Sequence, residues 1–274
     1  MVDNSSGDDI PKAFWRPTGA AAASITIVAL PGFLIGAYAP EIKEDLSFGD
    51  TELGALLTFG YLISSIVMST AGGVADKRGP QLILRIGVAI AALAAFLTGI
   101  ISNTYLLLLL CIGLNRVAEG IIQPATNTLI STGVAPDRQG IAMAVKQSAV
   151  PFSTALAGFA VPTLGILFGW RGAFLVFSFL AIPAWLIIPK VVVPKSKRFP
   201  SRREMWGSRH LQIISMAGAF SGAAVVTVSG FLTTTAKNAG YSESFAGLIL
   251  GLGGLVMIIA RLGWGYLADR FSFD

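Results

Sequence analysis

The sequence predicts an all-α polytopic membrane protein, and three observations carry that prediction. Over half of the 274 residues are apolar and only 13% are charged. Mean hydropathy is +0.71, too high for a chain of this length whose surface meets water. The apolar residues also fall into eight runs, each near the ~20 residues a helix needs to cross a hydrocarbon layer of about 30 Å.

Residues 1–17 are polar and acidic at the start (Asp3, Asp8, Asp9), unlike the basic opening of a secretory signal, and are expected to form a disordered cytoplasmic tail. The first hydrophobic segment covers 18–38 and the second 52–74. The stretch Asp76 to Gln81 then forms a tight charged turn into the third, 82–101. Only Ser102 to Thr104 separates this from the fourth, 105–131, and the stretch Ala135 to Gln139 leads to the fifth, 141–168. The minimal turn Gly169 to Arg171 opens the sixth, 172–189. The stretch from Pro189 to His210 is long, charged and proline-bearing, which makes it the domain boundary: a six-segment half at 18–189, a basic cytoplasmic linker at 190–210, and a second unit at 211–274 with segments at 211–235 and 245–267.

Basic residues set the orientation. With the amino terminus inside, Lys12, Arg16, Lys77, Arg78, Arg85, Arg138, Arg270 and seven residues between Lys190 and Arg209 lie on the cytoplasmic side, against Lys43, Arg171 and Lys237 outside. The positive-inside bias therefore predicts a cytoplasmic amino terminus. The same bias explains the net charge of +5 without a nucleic-acid partner. Cys111 is the one cysteine, so neither an internal disulfide nor a cysteine metal site can form.

A self-repeat is the most specific signal. Gly72-Gly73-Val74-Ala75-Asp76-Lys77, after the second segment, recurs as Gly265-Tyr266-Leu267-Ala268-Asp269-Arg270 after the eighth, offset by 193 residues. The same offset superposes Gly54 on Gly247 and Phe48 on Tyr241. Two copies of a six-helix unit are implied. Glycine lets helix ends approach closely, the acid can face a helix amino end, and the basic residue holds the turn at the membrane surface.

The pattern Gly-x-x-Ala-Asp-(Arg/Lys)-x-Gly resembles the signature loop of the major facilitator superfamily. Its first copy runs from Gly72 through Asp76 and Lys77 to Gly79; its second holds Gly265, Asp269 and Arg270 but continues into Phe271-Ser272. Asn115-Arg116-x-x-Glu119-Gly120, Lys146-Gln147-Ser148-Ala149-Val150-Pro151 and Gly169-Trp170-Arg171 add to the resemblance. It implies a bacterial inner-membrane transporter similar to cyanate, nitrate and organic-anion porters. A family member has twelve helices, so the resemblance also implies a chain truncated after the eighth. In such a fold Asp269 is expected near the Pro136 to Gly140 stretch, and the two signature loops act as gates.

Ionisable residues inside a bilayer are costly, which makes them the candidates for function. Arg116, Glu119, Gln123 and Asn127 follow a 3-4-4 spacing that places them within about 80° on one helical face. Gly113 and Gly120 border this stripe and leave room for a ligand or a close helix. Arg116 either pairs with Glu119 to join helices or attracts an anionic substrate, with Glu119 orienting the substrate or exchanging a proton. Lys146, with Gln147 beside it, either reaches the same cavity or snorkels to the interface. Arg261 shares a face with Gly247, Gly254 and Gly265, and is a candidate gate or anion contact. Three cations against one anion favour an anionic cargo.

Other chemistry finds no support. No Gly-x-x-x-x-Gly-Lys-(Ser/Thr) loop is present, Gly251-Leu252-Gly253-Gly254 lies inside an apolar segment, and the single histidine, His210, lies in the basic linker. The expectation is a non-enzyme without metal or cofactor: a secondary active transporter, symporter or antiporter, of a small anion or organic acid. Its partners are a small-molecule substrate, the bilayer and protons, and it works as a monomer. The alternatives are an efflux porter for hydrophobic cations, which the missing Gly-Pro pattern after Ser148 weakens, and a non-transporting sensor or inactive fragment.

Overall fold

Helix ends are set by local chemistry. The computed structural model describes residues 10–190 and 209–270, with the side chains of 10–13, 76, 77, 137 and 265–270 outside the description. The first helix, α1 (Ile10–Ala37), runs into a short amphipathic helix, α2 (Ala39–Leu46). Next, α3 (Asp50–Arg78) opens at Gly49, whose N–H donates to Glu52 Oε2 at 3.0 Å and so spares one unpaired donor. One residue, Gly79, separates it from α4 (Pro80–Ile101); its φ of 86° is open only to glycine at low cost, and Pro80 starts the next helix with φ already fixed. Thr104 caps α5 (Tyr105–Gly133) by accepting from the Leu107 N–H at 3.3 Å.

A 3-10 turn, Pro136–Arg138, leads to α6 (Gln139–Ala160), which passes through a π turn at Val161–Gly165 into α7 (Ile166–Phe179) and α8 (Ala181–Leu186). The last two helices are α9 (Arg209–Asn238) and α10 (Glu243–Arg270). Among the described residues, seven helical stretches are long and apolar enough to cross a membrane, one of them running from Gln139 to Leu186. That stretch is two crossings, because Gly169 breaks it with φ 63° and ψ −176°.

Two apolar clusters mark the two ends of the bundle and give each helix its direction. One gathers Phe14 and Ile25 of α1 with Leu84, Leu129, Ala142 and Ala184. The other gathers Leu34 and Tyr38 with Leu53, Leu108, Ala157 and Phe174. Chain order through these clusters alternates: α6 leaves the first for the second, and after Gly169 the chain returns from Phe174 to Ala184. The eight crossings expected from the sequence are therefore present, as an all-helical polytopic fold.

Packing follows close small-residue contacts, as expected where lipid supplies no hydrophobic drive between helices. The helices α3 and α4 lie along α5, α1 packs on α5 and α6, and α10 lies along α6. A Cβ added to Gly254 would stand 2.6 Å from Ala155 N, so the two backbones touch there. Leu93, Phe96 and Ile100 of α4 and Leu167, Phe168 and Ile182 beyond the π turn are exposed, an apolar outer wall suited to acyl chains.

The repeat has a structural counterpart: Asp50 and Glu243, the first residues of α3 and α10, differ by the same 193 positions as the two signature loops. Two expectations are corrected. Residues 10–17, placed in the disordered tail, are helical, because Ile10 to Pro17 continues into the apolar run and its two prolines do not end the helix. Arg209 and His210, placed in the linker, form the first turn of α9. The connection between the first two segments also contains α2, whose eight residues are too few and too charged to register as an apolar run. The centre of the linker lies outside the described residues.

Candidate functional site

The polar stripe on α5 forms two neighbouring networks, one on Arg116 and Glu119 and one on Gln123 and Asn127. Arg116, 2% exposed, sends Nη1 to Glu119 Oε2 at 2.7 Å, and its guanidinium carbon lies 4.4 Å from the centroid of the Tyr61 ring on α3. Space for it comes from two glycines: a Cβ at Gly60 would lie 3.0 Å from Arg116 Cγ, and one at Gly32 of α1 would overlap Nη2. Arg116 Nε and both amide atoms of buried Asn115 have no hydrogen-bond partner. Such unfilled polar atoms in a low-dielectric interior invite water or ligand.

One turn further along, Lys146 of α6 donates to Asn127 Oδ1 at 2.6 Å and to Gln123 Oε1 at 3.3 Å. It is 1% exposed, so it reaches inward and does not snorkel. Its partners are neutral amides. A buried ammonium held only by amide oxygens keeps its full charge uncompensated, whereas Arg116 is neutralised by Glu119.

A narrow cleft of about 50 Å³ opens onto Tyr61, Arg116, Glu119 and Gln123, with Gly32 on one side and Val226 and Ser229 of α9 on the other. It lies between α9 and the helices α1, α3, α5 and α6. Gly120 and Gly113 do not face it; a Cβ on Gly120 would stand 2.7 Å from Ser64 O, so of the two roles open to that glycine the structure takes the close helix, α3.

Two candidates lie apart from the cleft. The Gln147 side chain is exposed, because one residue along α6 from Lys146 rotates it by about 100°. Arg261 Nη1 donates to the Gln147 carbonyl at 2.9 Å, which ties α10 to α6 instead of joining Arg116. In the first signature loop a Cβ on Gly72 would lie 3.7 Å from Pro124 Cβ, and Gly79 makes the α3–α4 turn. The side chains of Asp76, Lys77, Asp269 and Arg270, like Gly265, lie outside the described residues, and with them the expected approach of Asp269 to Pro136 and Gly140.

Sequence reading missed Tyr61, Gly32 and Gly60, whose signal was a tyrosine and two glycines inside apolar runs. It also missed the end of the bundle that carries α2. There Thr233 Oγ1 donates to Gly36 O at 2.5 Å, and a Cβ on Gly36 would stand 2.5 Å from Ser229 O. Lys237 bridges Glu44 at 3.6 Å and Glu243 at 2.6 Å. Glu41 accepts the Trp170 N–H at 3.2 Å, while Asp45 pairs with Arg171 at 2.5 Å, fixing the turn after Gly169. At the opposite end of α9, residues 209–224 are exposed, so α9 packs on the other helices near Thr233 and stands free of them toward the basic end.

Known proteins share both sequence and fold. The chain is 25% identical over 275 residues to an MFS-type efflux pump of Mycolicibacterium smegmatis, covering 96% of this chain and 64% of that one. It is 26% identical to a gallate transporter of Pseudomonas putida over 87% of this chain and 55% of the relative. It is 27% identical to a probable L-galactonate transporter of Escherichia coli over 52% of this chain and 31% of the relative. The crystal structure of a bacterial homologue of the human lysosomal transporter Spinster, inward-facing and unoccupied, superposes with a TM-score of 0.73 at 18% identity, covering 97% of this chain and 64% of that one. The chain thus spans less than two thirds of the length of these relatives. The sequence profile of the Major Facilitator Superfamily matches residues 21–273, and the chain belongs to that family of membrane transporters.

Proposed function

We propose that this is the core of a secondary transporter for a small organic anion, with the amino terminus cytoplasmic and protons as the coupling ion. The observation that carries the reading is the Lys146 ammonium, buried beside the cleft with Gln123 and Asn127 as its partners among the described residues. A carboxylate entering from the open end would supply the missing counter-charge and gain from desolvation. Arg116 and Glu119 then form the switchable pair: an anion that competes for Arg116 frees Glu119 to take a proton. The relatives named for gallate and L-galactonate support a carboxylate cargo.

Alternating access fits the contacts at the outer end, where Gly36 and Thr233 close the bundle while the basic end stands open. The 50 Å³ cleft is small beside the ~300 Å³ or more of ordinary ligand pockets. Substrate entry therefore requires α9 to move from α5.

The test is binding of a panel of small carboxylates to the purified chain, read as a ligand-induced rise in Tm. Lys146→Met should lower affinity about 100-fold, the loss of one buried charge-assisted hydrogen-bond partner. Its own Tm should stay within a few degrees, since replacing an unpaired buried charge by an apolar chain of like volume is neutral or stabilising. Equal carboxylate affinity in the variant would overturn the reading. A second reading, export of hydrophobic cations, is favoured by the likeness to an efflux pump and by Glu119 at the cleft wall. Lipophilic cations that bind wild type, lose affinity in Glu119→Gln and keep it in Lys146→Met would select it.

A further inference from the structure

We infer that a groove at the basic end of the bundle, between α1, α4 and the end of α8, binds the phosphate headgroup of an anionic phospholipid. The groove has a volume of about 730 Å³ and is lined by Trp15, Arg16, Gln81, Arg85 and Lys190 among others. Three of these are cations, and no described carboxylate lines it.

Arg85 is the centre of the argument. It lies in the second turn of α4, and its guanidinium carbon stands 4.6 Å from the centroid of the Trp185 ring. That stacking holds the planar group without using its N–H donors. Among the described residues, Arg85 Nε is buried with no hydrogen-bond partner, and no ion pair includes this residue. A cation that only served orientation would extend into water. This one is folded against an aromatic wall with a donor unfilled.

The walls select a lipid over a free phosphate. Leu186 and Ile187 line the groove beside the cations, and Leu82 and Ile86 flank Arg85 on α4; all four are exposed apolar side chains at this end of the bundle. Trp15 and Trp185 are exposed at the same end, at the level where tryptophan sits between headgroup and acyl chain. A phosphate over Arg16, Arg85 and Lys190 with acyl chains along that wall satisfies both halves. Basic clefts between membrane helices on the cytoplasmic side suit such headgroups.

The chain in neutral nanodiscs is titrated with phosphatidylglycerol bearing brominated acyl chains, alongside brominated phosphatidylcholine, and tryptophan quenching is read. Wild type should quench at a mole fraction of phosphatidylglycerol at least about fivefold below that of phosphatidylcholine, and removing one cation should lose about fivefold. Arg85→Gln and Lys190→Gln should each lose this preference, and Lys190 is exposed, so its loss disturbs no packing. Trp185→Phe should remove part of the quenching. Equal quenching by the two lipids in wild type, or an unchanged preference in both cation variants, would overturn the inference. Reversal of the quenching by millimolar glycerol phosphate would also overturn it in favour of a soluble ligand.

Discussion

Gly32 stands where the Arg116 guanidinium passes, so that a methyl group at position 32 would overlap Nη2. Arg116 cannot withdraw freely, because Glu119 and the Tyr61 ring hold it. Gly32→Ala should therefore destabilise the protein by about 1 kcal/mol, the low end for overpacking against a flexible tip. The Arg116–Glu119 contact should loosen with it. Thermal unfolding in detergent checks the first effect, and a loss of coupling between Gly32→Ala and Glu119→Gln would leave the geometry without support.

Arg116 and Glu119 are both largely buried, at 2% and 13% exposure. Removing one partner strands a charge in low dielectric, so Glu119→Ala should cost about 3–5 kcal/mol. Arg116→Met with Glu119→Met should cost much less than the sum of the single changes. A double-mutant cycle on unfolding free energies measures this, and additive losses would mean the pair is not coupled.

Glu41, outside the membrane-spanning helices, has its pKa raised by burial, with Glu243 and Asp45 adding to the rise and the Trp170 N–H and Arg171 opposing it. A carboxyl raised in the folded state is held as the neutral acid more firmly than in the unfolded chain. Stability from this group is thus present at low pH and lost as pH climbs from the ordinary glutamate range through the raised folded value. Glu41→Gln keeps an acceptor for Trp170 and removes the titration. Its Tm relative to wild type should rise between about pH 4.5 and 7; a difference that falls over that range would contradict the assignment.

Adjacent glycines in α10 should behave in opposite ways. A Cβ on Gly253 meets nothing within 4 Å, whereas one on Gly254 stands 2.6 Å from both Ala155 N and Pro151 O, which cannot retreat as a side chain would. Gly253→Ala should be neutral, and Gly254→Ala should destabilise by about 2–3 kcal/mol. Unfolding of the two variants side by side reads the difference.

Much of this was legible along single helices. The 3-4-4 spacing of Arg116, Glu119, Gln123 and Asn127 needed only the helical period; the structure lines the cleft with the first three, while Asn127, exposed, meets Lys146. Segment ends were legible where glycine and proline mark them, as at Gly79-Pro80 and Gly169. Relations between helices were not. Tyr61 meets Arg116 because α3 crosses α5 at Gly120, and no pattern within either segment encodes that crossing. Gln147 was grouped with its neighbour in sequence although helical geometry separates adjacent side chains. Lys146 needed the facing amides on α5 before its two roles could be told apart.

The Gly36–Thr233 contact has a mechanical consequence. Gly36 backs onto the Ser229 backbone and accepts from Thr233 Oγ1, which leaves almost no compressible material at the α2 end, so in the proposed motion this contact is the fulcrum and α9 the arm. From Thr233 to Arg209 the arm is about 36 Å long at 1.5 Å per residue. A tilt of about 10° at the fulcrum, within the play of a glycine–serine contact, sweeps the far tip of that arm through about 6 Å, by the same rise per residue.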